Sequence, residues 1–292
     1  MRISRQTRGY ATTAWLPMVL AVLAATSSTV GQGEPASPDP TPPAPRETKP
    51  KTPTDSSPKP ALDGYCPVAY FTLGQATKGK PEYQTRFVGE TYYFHNAEAK
   101  ARFDSKPGRD LPQFGGLCTM ALGGPYGNRI WGDPKVFDLV DGKLYLFSSE
   151  RAKRAYEKEK YVCIAVASER FAKPALEGHC PVAYQTRNKA LKAGPELRAV
   201  YRGWIYNLSS EEAFDLFRAY PAEYVPKYRR YCAEGVSRNK RFPADPEQFM
   251  VHNGRTYLFY DVKSKLQFRT HPEKMIKPAD EYWKTLALEE PL

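Results

Sequence analysis

Four cysteines in this chain fall into two pairs of equal spacing. Cys66 and Cys118 are 52 residues apart, and so are Cys180 and Cys232. Each pair opens on the same string, Cys66-Pro67-Val68-Ala69-Tyr70 and Cys180-Pro181-Val182-Ala183-Tyr184. Paired thiols allow two chemistries. In an exported chain they default to disulfides, and Cys66–Cys118 and Cys180–Cys232 would each close a loop of about 50 residues, stabilising by roughly 3–4 kcal/mol. They can also ligate a soft ion. Cys66, His95, Cys118 and Met120 are the thiolate, imidazole and thioether types that suit copper or zinc, and His179, Cys180 and Cys232 form the analogous set. No Cys-x-x-Cys spacing occurs, so either arrangement must be assembled by the fold. A fifth cysteine, Cys163, lies in the apolar run Val162-Cys163-Ile164-Ala165-Val166 and is expected to be a buried free thiol.

The elements that would position these residues repeat as well. The offset between copies is 114 residues as far as the second cysteine, where Pro107 and Pro112 answer Pro221 and Pro226. Beyond it the offset is 112, because the first copy carries two extra residues in its cysteine loop. The period is too long for a solenoid rung, so each copy reads as a domain. In the first, Gln84 to Val88 and Thr91 to Phe94 read as a hairpin turning at Gly89-Glu90. Asn96 is a helix cap, and Asp141-Gly142 marks a second hairpin between Val136–Val140 and Leu144–Phe147. Ser149 caps a closing helix from Glu150 to Lys160. The second copy follows the same order, with a capping box at Ser209-Ser210-Glu211-Glu212 and a turn at Asn253-Gly254.

Composition sets the surroundings. The 292 residues carry a formal net charge of +11, with 41% hydrophobic and 13% aromatic residues, enough for cores of domain size. Residues 1–31, with Arg2, Arg5 and Arg8 ahead of an apolar run from Trp15 to Ala25, read as a signal peptide. Residues 32–60, dominated by Pro, Ser, Thr and Lys, read as a disordered linker. The chain is therefore expected to be exported, periplasmic or extracellular, and tethered to the membrane if the signal is uncleaved. The expected layout is domain 1 at 61–160, an inter-domain connection at 161–173 and domain 2 at 174–288.

Both copies resemble YHS domains, a small α+β family related to the TRASH-type metal-binding modules. The strings that carry the likeness are Gly64-Tyr65-Cys66-Pro67-Val68-Ala69-Tyr70-Phe71, Thr91-Tyr92-Tyr93-Phe94, Phe114-Gly115-Gly116-Leu117-Cys118 and Asp141-Gly142-Lys143-Leu144-Tyr145-Leu146. Gly178-His179-Cys180 and Tyr231-Cys232-Ala233-Glu234-Gly235-Val236 carry it in the second copy. The resemblance implies an α+β fold of antiparallel hairpins and short helices, and its metal-binding relatives imply a soft-metal function. This chain departs from the pattern in three ways. Exported members usually have Asp where Cys66 and Cys180 stand. His95 and Ser209 occupy the place of the metal binders' cysteine, and Arg229-Arg230 replace Gly115-Gly116.

No Ser-His-Asp arrangement, paired carboxylates or GxxxxGK[ST] loop is present, and the expectation is a non-enzymatic binding module of the cell envelope. Its partner is read as a soft metal ion, copper or zinc, or as an anionic envelope component facing the basic stretch Arg229, Arg230, Arg238, Lys240 and Arg241. Nucleic acid is not expected. The alternative is a disulfide-stapled interaction module that binds no metal.

Overall fold

The computed structural model describes residues 59–286, all within one compact unit. The expected signal peptide and all but the last two residues of the linker lie outside the described residues.

The architecture is mixed α and β, with the strands in four two-stranded antiparallel hairpins. In the first copy, helix α1 (Ala69–Thr72) precedes strands β1 (Lys80–Phe87) and β2 (Glu90–Phe94). Helices α2 (Ala97–Ser105) and α3 (Thr119–Gly123) lead to strands β3 (Asp133–Val140) and β4 (Lys143–Phe147). Helices α4 (Glu150–Glu157) and α5 (Lys160–Phe171) close it. The second copy runs α6 (Pro181–Thr186), β5 (Arg198–Tyr201), β6 (Trp204–Asn207), α7 (Glu211–Ala219), α8 (Pro221–Tyr224) and α9 (Ala233–Ser237). It ends with β7 (Asp245–His252), β8 (Arg255–Phe259), α10 (Val262–Thr270) and α11 (Pro272–Leu286).

Local sequence explains the boundaries. The four helices that follow hairpins each begin at a side-chain cap: Asn96, Ser149, Ser210 and Asp261 accept a hydrogen bond from the backbone N–H three residues on. The hairpins at Asp141-Gly142 and Asn253-Gly254 turn where expected, with both residues of each turn at positive φ. The first hairpin turns one residue earlier than expected, at Val88-Gly89, because Phe87 pairs with Glu90. A β-branched residue at φ 45° is costly in isolation. Val88 is held there because its side chain packs into the core of the second copy.

Helix α5 occupies the segment expected to be an inter-domain connection. It packs on α3 through Cys163 and Ala167, which share a core with Leu122 and Tyr156. It is the first copy's counterpart of α11, so the true connection shrinks to the few residues after Phe171.

The duplication extends to individual bonds. Tyr70 donates its hydroxyl to the Pro134 carbonyl at 2.7 Å, and Tyr184 donates to Pro246 at 2.9 Å. In both copies the strand register shifts across this point, between Asp133 and Phe137 and between Asp245 and Phe249. Such a bulge leaves a carbonyl outside the ladder, and the tyrosine takes it up. The lone bridges Cys118 to Leu146 and Cys232 to Leu258 likewise match.

The copies dock by exchanging turns. A Cβ on Gly89 would lie 2.3 Å from the Pro221 ring, and one on Gly203 would lie 3.0 Å from Leu117. Glu90 and Arg202, one beside each turn, form an ion pair at 3.6 Å. Gly89→Ala should therefore destabilise the protein by roughly 1–3 kcal/mol through overpacking at the junction. Gly142 also has positive φ but meets nothing within 4 Å, so Gly142→Ala should cost less, about 1 kcal/mol, for backbone strain alone. Urea unfolding of both variants checks this, and equal losses would remove the steric account of the docking.

Candidate functional site

The structure divides the expected ligands among separate places. All five cysteines are buried free thiols. The expected staples Cys66–Cys118 and Cys180–Cys232 are not formed. Cys66 belongs to the core around Phe94, Ala99 and Phe103, whereas Cys118 packs with Leu122, Tyr156 and Cys163. Cys180 and Cys232 are split in the same way, between the core around Tyr184 and Phe217 and the core around Tyr228 and Phe268.

One expected pair does meet. His95, at the end of β2, places Nδ1 3.2 Å from Cys66 Sγ. Burial pushes the Cys66 thiol up, and hydrogen bonds from the backbone of His95, Ala69 and Val68 counter this only in part. The thiol is thus held protonated at neutral pH, unlike a nucleophilic thiolate. Met120 lies 4.0 Å from Cys163 Sγ, which also donates to the Thr119 carbonyl at 3.5 Å. Burial pushes Cys163 up to about 11. His179 has Nδ1 2.9 Å from the Leu176 carbonyl, with Nε2 4.0 Å from Glu247.

Among the described residues no three His, Cys, Asp or Glu side chains form a group able to hold a metal. The set Cys66, His95, Cys118 and Met120 therefore does not assemble as one site, nor does His179, Cys180 and Cys232. The two donors at Cys66 and His95 are too few for the tetrahedral shell of zinc. They fit only a soft ion of low coordination number such as copper(I).

Both copies contribute to a cleft of about 980 Å³. Phe87, Leu111, Phe114, Trp131, Phe171 and Phe214 give it an apolar, largely aromatic lining. Trp131 and Val200 on its walls are 42% and 41% exposed, an arrangement that burial would favour. The second copy adds Arg198, Arg202 and Arg218, while Glu90 enters from the first. The Arg218 guanidinium bridges the copies, 5.8 Å from the Phe87 ring and 5.5 Å from the Phe214 ring. Burial raises the Glu90 carboxyl despite the neighbouring Arg202, Arg229 and Arg86. Aromatic walls with a few convergent charges at a junction between domains are the usual form of a small-molecule site.

These residues are not singled out by the sequence, because they lie in six separate segments and share no spacing. Only the basic stretch around Arg229 and Arg230 is visible there, and the structure places Arg230 over the Trp204 ring, with Arg229 acting electrostatically on Tyr206. No family profile, curated protein or solved structure matches the chain.

Proposed function

We propose that the chain is an exported, non-catalytic binding module of two YHS-like repeats, whose ligand is an organic anion with an apolar body held in the cleft between them. The observation that carries this reading is the cleft itself, with aromatic walls from both copies and four cations, Lys59, Arg198, Arg202 and Arg218, against two carboxylates, Asp63 and Glu90. Apolar area drives entry, and the guanidinium forks favour a carboxylate or sulfonate head. The buried, protonated thiols favour binding over thiol catalysis. Export follows from the expected signal peptide.

Anilinonaphthalene sulfonate, an aromatic anion, is the probe. Its fluorescence should rise saturably at one equivalent of protein, and Arg218→Glu should weaken binding about tenfold, the effect of losing one charge-assisted contact. Arg218 is exposed, so this variant should keep the wild-type circular dichroism and melting temperature. Non-saturable fluorescence, or unchanged affinity in the variant, would discard the cleft as the site.

The contact between Cys66 and His95 favours a second reading, capture of copper(I) by this pair, with the ion replacing the thiol proton. Protein purified in air without reductant should release five reactive thiols on unfolding, and the folded protein should bind one copper(I) equivalent that Cys66→Ser abolishes. A single free thiol would instead restore the disulfide staples, and copper binding that survives Cys66→Ser would place the metal elsewhere.

A further inference from the structure

Arg129 reaches from the cysteine loop of the first copy to the second. Its guanidinium stacks 3.7 Å from the Trp204 ring centroid and donates to the Gly203 carbonyl at 2.6 Å and the Arg170 carbonyl at 3.4 Å. Arg230 approaches the same indole at 4.9 Å. Arg229 is the chain neighbour of Arg230 and, with Arg129 and Arg202, acts electrostatically on Tyr206, which shares a face of β6 with Trp204.

Three features set this cluster apart from an ordinary basic surface. First, it is short of acids. Among the described residues Arg129, Arg229 and Arg230 form no ion pair, while Glu90, the nearby carboxylate, is taken by Arg202. Second, Arg229 Nη1 is buried with no hydrogen-bond partner. A buried guanidinium N–H left unpaired is strongly disfavoured. Third, Arg229 holds φ 54°, at the position where the first copy has Gly115 at φ 63°. The second copy thus puts an L-residue where glycine is the unstrained choice. Desolvation lowers both Arg129 and Arg229 to about 10, with Arg230 adding repulsion at Arg129.

We propose that Arg129 and Arg230, stacked on Trp204, and the adjacent Arg229 form a binding site for a tetrahedral oxyanion, a phosphate or sulfate group. Each guanidinium has five N–H donors, and Arg129 spends only part of its set on carbonyls. Several forks converging from two copies need an acceptor with more oxygens than a carboxylate supplies. The same chemistry is offered by the free ion and by a phosphate or sulfate monoester at the end of a larger molecule. The site is separate from the cleft, which Arg129, Arg229 and Arg230 do not line.

The test titrates the full-length protein with inorganic phosphate, inorganic sulfate and glycerol phosphate, reading heat and tryptophan fluorescence. Saturable binding of at least one of them is expected, weakening as salt rises. A preference for the ester identifies an end group as the natural source, and a preference for the inorganic ions identifies the free ion. Arg230→Gln, at an exposed position, should weaken binding about tenfold. Arg229→Gly should weaken it at least as much while leaving the melting temperature unchanged or raised, because the strained backbone relaxes. Arg218→Glu should leave it unaltered. Absence of saturable binding to all three probes, or wild-type affinity in both Arg230→Gln and Arg229→Gly, would overturn the proposal. Loss of binding in Arg218→Glu would overturn its separateness from the cleft.

Discussion

Each half of this molecule is closed by one hydrogen bond from a buried tyrosine to a proline carbonyl. Tyr70 and Tyr184 are wholly inaccessible to solvent, so each hydroxyl must find a partner or be left costly and unpaired. The partner exists because the strand beginning at Asp133 or Asp245 bulges and turns the next carbonyl out of the ladder. The aspartate steadies the bulge by accepting a backbone N–H two residues on, from Lys135 at 2.9 Å or Glu247 at 2.8 Å. The start of each copy is thereby pinned to its third strand. Where two thiols fall at the right spacing, a covalent staple is the ready expectation, but here the cysteines fill core space and the tyrosines make the tie.

With each copy closed, the turns left over become the means of joining them. Gly89 and Gly203 stand at equivalent positions and each lets its turn approach the other copy closely. The pseudo-symmetry fails at the residues beside them. Val88 packs partly buried against the neighbouring core, whereas Arg202 pairs with Glu90, and both border the cleft. The same asymmetry recurs at Gly115 against Arg229. The duplicated framework is thus kept where it carries structure and altered where the copies face one another, which is where both proposed sites lie.

The framework was largely legible in the residues. The repeated Cys-Pro-Val-Ala-Tyr string, the change of offset from 114 to 112, the Asp-Gly and Asn-Gly turns and the helix caps are local signals, and each maps onto one element. What escaped was set by contact between copies. Val88 reads as strand because nothing nearby in sequence announces the core that receives it. The run from Val162 to Val166 reads as a connection because its partner, α3, is a short helix inside a loop. Of the soft-ligand set, only Cys66 and His95 meet, since their separation is bridged by a single hairpin. Arg129 meets Trp204, and Arg218 meets Phe87, only through the docking, so no spacing encodes either contact.

Helix α5 gives the connection between copies a mechanical meaning. It is fixed to the first copy along its length and delivers the chain at Phe171, which is itself a wall of the cleft. Only Ala172, Lys173 and Pro174 then separate it from the next turn of the second copy, beginning at Ala175. Three residues span at most about 10 Å, and proline stiffens the last of them. The second half of the cleft is therefore leashed to the first at a very high effective concentration. Docking the two walls of the cleft therefore resembles an intramolecular step, with most of the entropy of bringing them together already removed by the covalent chain.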